Sequence, residues 1–81
     1  MKVFALERSN NKAIVTQKDG KSVLTSYVTD VAEYNHLTNE IEVFGLHSQT
    51  TTKHINLFLE FYGFDKMTKK ELIETYNLTG Y

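Results

Sequence analysis

Eighty-one residues, a formal net charge of −1 and no cysteine exclude a good deal. The length fits one domain that buries only about 60% of its unfolded surface, which leaves a thin stability margin. Disulfides, thiolate metal sites and thiol redox chemistry are ruled out, and a near-neutral chain has no bulk attraction to nucleic acid or anionic membrane.

The first half reads as strands. Residues 2–6 and 13–17 are short runs rich in Val, Ile and Phe, separated by the polar turn cluster Ser9-Asn10-Asn11. Lys18-Asp19-Gly20-Lys21 follows, and Asp-Gly supplies positive φ at both central positions of a type I′ hairpin turn. A long third strand is expected over residues 22–34, bent near Thr29-Asp30. Val23, Tyr27 and Val31 share one face, and Leu24, Val28, Ala32 and Tyr34 share the other. The spacing of Val28, Val31 and Ala32 also suits a helix, but the β-branched Thr25, Val28, Thr29 and Val31 favour extended chain. Asn35-His36-Leu37-Thr38-Asn39 then makes a hairpin loop into a fourth strand over residues 40–46.

The second half reads as helices. Ile55, Phe58, Leu59 and Tyr62 recur at i, i+3, i+4 and i+7, one apolar stripe of a helix over residues 50–62. Leu57, Phe61 and Phe64 make a second stripe, and Gly63 stands where a left-handed cap is wanted. Thr68-Lys69-Lys70-Glu71 is a capping box opening a second helix over residues 69–77, with Met67 and Leu72 placed as a hydrophobic staple. The expected fold is α+β: a four-stranded antiparallel meander followed by two C-terminal helices packed on one face.

The polar run Ser48-Gln49-Thr50-Thr51-Thr52-Lys53-His54 opens the first helix, where free amides favour anions. No glycine-rich approach precedes it. The ordinary reading makes Ser48, Thr50 or Thr51 the N-cap and leaves the others in solvent. Lys66, Lys69 and Lys70 gather at the start of the second helix, against the preference of the helix dipole. With Lys53, and with Tyr62 or Tyr76, they could meet nucleic acid; a solvated lysine face is the plainer account. The candidate binding surface is therefore Ser48, Thr50, Thr51, Lys53, His54, Lys66, Lys69 and Lys70.

Chemistry is poorly represented. His36, His47 and His54 show no metal-ligand spacing, and Glu33 and His36 straddle a strand end and a loop. His54 and Asn56 are expected to hydrogen-bond the loop entering the helix. Glu40 and Glu42 lie on one strand face, where solvation explains them, and no nucleophile elbow occurs. No enzyme activity, cofactor or metal is expected. Two apolar faces on the third strand and two stripes on the first helix exceed what one sheet can cover. A homodimer through Leu57 and Phe61, or through the far face of that strand, follows from this.

Met1-Lys-Val-Phe-Ala-Leu turns polar at Glu7, too short for a signal-peptide core. No stretch approaches the roughly 20 apolar residues of a membrane span. The expectation is a cytoplasmic protein without membrane partners, in which the sequon Asn77-Leu78-Thr79 carries no meaning.

The string Leu24-Thr-Ser-Tyr27, Val31-Ala-Glu-Tyr34, Val43-Phe-Gly45, Ser48-x-Thr-Thr, His54-Ile-Asn56-x-Phe58-Leu59, Gly63-Phe64 and Met67-Thr-Lys-Lys-Glu71 resembles small uncharacterised proteins of bacteriophages that infect Gram-positive bacteria. The resemblance covers residues 24–71, leaves out the first hairpin, and transfers no functional residue. It implies a small accessory protein in the cytoplasm of an infected cell, non-catalytic, binding a host or defence macromolecule. The alternative is a nucleic-acid-binding protein that uses residues 48–54 and the nearby lysines.

Overall fold

The computed structural model describes residues 1–46 and 48–78. Five strands, β1 (Lys2–Ala5), β2 (Ala13–Lys18), β3 (Lys21–Ser26), β4 (Thr29–Asn35) and β5 (Glu40–Val43), form one antiparallel sheet in sequence order. Two helices follow, α1 (Gln49–Phe61) and α2 (Lys69–Tyr76). The class is α+β, with one strand more than the sequence suggests.

The extra strand comes from residues 22–34, which are two strands and not one bent strand. Ser26 pairs with Thr29 across a two-residue turn in which Tyr27 takes φ +57°. Glycine and asparagine are the usual occupants of that backbone region, and β-branched neighbours conceal the turn. The pairing also corrects the expected faces. Ser22, Leu24 and Ser26 point into the core, while Val23 and Thr25 lie on the other side. Leu24 pairs with Ala32 and Thr25 with Asp30, so Val31 is the extra residue of a bulge. The bulge lets the adjacent Val31 and Ala32 both bury completely.

The Asp19-Gly20 turn has positive φ at both residues, and Lys18 pairs with Lys21 as the type I′ reading requires. The fourth expected strand ends at Val43 instead of residue 46, although Leu46 still enters the core.

α1 packs on β3 and β4, and α2 packs on β5. The first stripe of α1 delivers Ile55, Phe58 and Leu59 to the core as fully buried side chains, joined by Val15, Leu24, Leu46 and Leu72. Ser48 is the N-cap, its hydroxyl accepting from the Thr51 amide at 3.2 Å. At the other end Gly63 adopts φ +84°. The Phe64 amide returns to the Leu59 carbonyl at 2.9 Å and the Gly63 amide to the Glu60 carbonyl at 3.0 Å, a Schellman cap. Both halves of the Thr68–Glu71 capping box are present, at 2.9 and 3.2 Å. Met67 packs against the core beside the fully buried Leu72.

Candidate functional site

The proposed binding surface does not survive as one patch. Ser48 and Lys53 are exposed and Thr50 is half-buried, but Thr51 and His54 turn into the core. His54 is only 1% exposed. Its Nδ1 lies 2.8 Å from the Ser26 hydroxyl, which also lies 3.5 Å from Thr51 Oγ1, and Thr51 Oγ1 is 3.3 Å from Ser48 Oγ. A hydrogen-bonded chain thus ties the start of α1 to the end of β3. The Ser48 and Thr51 hydroxyls are thus spent on one another and on Ser26, and the Thr52 hydroxyl donates to the Ser48 carbonyl at 3.3 Å. Burial, followed by the neighbouring charge of Lys53, pushes the His54 pKa below its ordinary value.

Asn56 does not meet the loop entering α1. Its amide nitrogen donates to the Met67 carbonyl and its oxygen accepts from the Met67 amide, both at 2.8 Å, which pins the α1–α2 connection to the middle of α1. With the connection held there, Lys66 and Lys53 line the same recess. Lys69 and Lys70 are exposed on α2. Tyr62 and Tyr76 are half-buried, and burial raises the Tyr76 phenol pKa. His47 and Thr79 lie outside the described residues.

A second polar chain, which no motif signals, runs under the C-terminal end of α1. Gln17 Nε2 donates to the Tyr62 hydroxyl at 3.1 Å, and that hydroxyl donates to Ser22 Oγ at 2.6 Å. Ser22 Oγ also lies 2.6 Å from His36 Nε2, the direction of that bond following the imidazole tautomer. Tyr34 stacks on Tyr62 with centroids 4.1 Å apart, and His36 meets Tyr34 edge-on at 4.8 Å. Two Ser–His contacts suggest nucleophilic catalysis at first sight. Ser22 and Ser26 are both buried, however, so a substrate cannot reach either hydroxyl. Both contacts satisfy polar atoms at the helix–sheet interface.

One accessible feature is a groove between β1 and α1. Phe4, Ala5, Leu6, Glu7 and Arg8 line one side of it and Leu57, Glu60 and Phe61 the other, enclosing about 530 Å³. Phe4 and Phe61 meet with ring centroids 5.3 Å apart. Leu57 is half-buried, and Phe61 keeps 54% of its surface in solvent. The two residues expected at a self-association contact are therefore together at one site. At its far end the groove continues into a smaller recess of about 230 Å³, lined by Arg8, Lys53, Asn56, Leu57, Glu60 and Lys66. Three cations face one carboxylate there, and Arg8 reaches Glu60 at 3.9 Å.

β1 closes the groove as a sheet edge, since among the described residues it pairs with β2 alone. The Leu6 amide donates to the Ala13 carbonyl at 2.9 Å, so by antiparallel alternation Phe4 and Lys2 also face β2. Val3 and Ala5 turn their amides and carbonyls away from the sheet. Phe4 and Arg8 were missed because groove membership depends on β1 lying opposite α1, a relation between segments some 50 residues apart.

Comparison with known proteins places the chain in a family. It belongs to DUF8033, a family of unknown function, whose profile spans residues 1–74. The match takes in the first hairpin and thus β1, which the resemblance read from residues 24–71 left out. No curated protein and no solved structure matches the chain. Among the described residues no helix is long and apolar enough to cross a membrane, and no group of three or more His, Cys, Asp or Glu side chains is placed to hold a metal ion.

Proposed function

We propose that this member of DUF8033 is a non-catalytic binding module that docks a protein partner in the groove between β1 and α1. One observation carries the reading: Phe61, Phe4 and Leu57 offer apolar surface beside a strand edge that no other described strand pairs with. Docking there covers the aromatic pair and satisfies the outward backbone groups of Val3 and Ala5 together. The resemblance to phage-encoded proteins supports a small accessory protein acting in the cytoplasm of a host cell, on a host or defence protein. Nucleic-acid binding through residues 48–54 is less favoured, because Thr51 and His54 are buried and only scattered lysines are left. Self-association is also less favoured than it was on the sequence. The single long strand is two strands, so its expected far face is divided, with Val23 and Thr25 opposite the core, and Leu57 and Phe61 alone make a small contact.

The test is affinity purification of the tagged chain from host cells, with Phe61→Glu and Lys69→Glu/Lys70→Glu variants in parallel. The partner should be retained by the parent and by the lysine variant, and lost with Phe61→Glu. Phe61 is exposed, so the substitution spares the core. Retention on Phe61→Glu would remove the groove from the reading, and a partner released by nuclease would favour nucleic acid.

A further inference from the structure

We propose that the groove takes an extended peptide segment with carboxylates at one end and apolar side chains at the other, added antiparallel to β1 as a sixth strand. The inference rests on the groove being the docking site and adds the chemistry of what it holds.

Three features set that chemistry. The outward amides and carbonyls of Val3 and Ala5 can pair only with another extended backbone, and the rest of the sheet is antiparallel throughout. Alternate side chains of such a segment turn inward over Phe4, Leu6, Leu57 and Phe61, an apolar floor. Beyond Leu6 the recess carries Arg8, Lys53 and Lys66 against Glu60, with Glu7 the other acidic group on the groove wall. The Glu60 charge is already met by Arg8, leaving Lys53 and Lys66 for an incoming carboxylate. Because an antiparallel segment enters at the Arg8 end, its acidic residues precede its apolar ones.

A second copy fits the same edge poorly. Pairing β1 with β1 about a two-fold axis carries Lys2 of each protomer toward the Leu6–Arg8 end of the other, adding a cation where cations already gather.

The probe is a fluorescent capped hexapeptide, acetyl-Asp-Glu-Ile-Thr-Val-Thr-amide, titrated into the full chain by anisotropy at low salt. Saturable binding is expected, at least about tenfold tighter than for the version beginning Lys-Lys. Methylating the backbone nitrogens that face β1 should weaken it by a similar factor. Lys53→Glu/Lys66→Glu should reverse the preference between the two peptides. Failure of the acidic peptide to bind, equal affinity for the basic one, or indifference to methylation would overturn the proposal, as would a dimer in light scattering that the peptide cannot dissociate. The groove itself is judged apart from this: if Phe61→Glu still abolishes partner capture, only the occupant's chemistry is wrong.

Discussion

The Ser26 hydroxyl and the Nδ1 atom of His54 lie 2.8 Å apart at the centre of the interface between β3 and α1. Around them Thr51 stands 3.5 Å from Ser26 Oγ, and the Tyr27 ring tilts over the imidazole with centroids 5.7 Å apart. A buried imidazole in contact with a hydroxyl is a fixed point between helix and sheet, because leaving either polar atom without its partner costs about 1–3 kcal/mol. The segment most suggestive of ligand chemistry in the sequence is thus part of what holds α1 in place, and α1 forms one wall of the groove.

That arrangement makes stability depend on pH. Burial and the Lys53 charge lower the His54 pKa in the folded chain, whereas the unfolded chain protonates near the ordinary value of about 6.5. The unfolded state therefore binds more protons as pH falls through that value toward the lowered one. The contribution is complete above about pH 6.5 and is lost below it. Ser26, Thr51, Tyr27 and Lys53 surround the ring, and none of them offers a carboxylate to offset the proton. Denaturant unfolding at pH 7.5 and 5.5 should show a larger loss for the parent than for His54→Gln. Equal losses would mean that His54 titrates freely.

Phe58 tests the packing beneath the groove. It is fully buried and meets Tyr62 edge-on at 5.2 Å. Phe58→Ala should cost about 3–5 kcal/mol, a large share of the stability of a domain this small. A variant that melts with the parent would show that α1 is not held by this stripe.

Local signals in the sequence were reliable where the physics is local. The capping box at Thr68, the glycine cap at Gly63 and the Asp19-Gly20 turn each involve residues within a few positions, and all three stand as read. The buried stripe of α1 follows from helical periodicity alone. What failed was decided by tertiary pairing. Tyr27 turns the chain at a position with no glycine, asparagine or aspartate, because the bond from its amide to the Lys12 carbonyl at 2.8 Å and its ring packing over His54 hold it there. Thr51 and His54 are placed inward by the orientation of α1 on β3, which no run of seven residues encodes. Of the groove, Leu57 and Phe61 were visible as surplus apolar surface, but Phe4, Arg8 and Glu60 were not.

The cap of α2 gives a clean measure of a single hydrogen bond. The Thr68 hydroxyl accepts from the Glu71 amide at 3.2 Å, and no other side chain is bonded to that amide among the described residues. Thr68→Ala should lose about 1 kcal/mol, and Thr68→Ser should restore most of it. A loss equal in both variants would assign the effect to the threonine methyl group and not to the cap.

Tyr27 distinguishes the two-strand hairpin from a single bent strand. At φ +57° an L side chain is strained, of order 1–3 kcal/mol, and glycine is not. Tyr27→Gly should be close to neutral in chemical denaturation, strain relief offsetting the lost contact with His54. In a continuous strand the same change would weaken the chain through backbone entropy and lost packing. Tyr27→Pro should behave oppositely to Tyr27→Gly, since proline fixes φ near −65° and removes the amide that donates to Lys12. The expected outcome is a proline variant that fails to fold beside a glycine variant that melts within a few degrees of the parent. A glycine variant as damaged as the proline one would return residues 22–34 to a single strand.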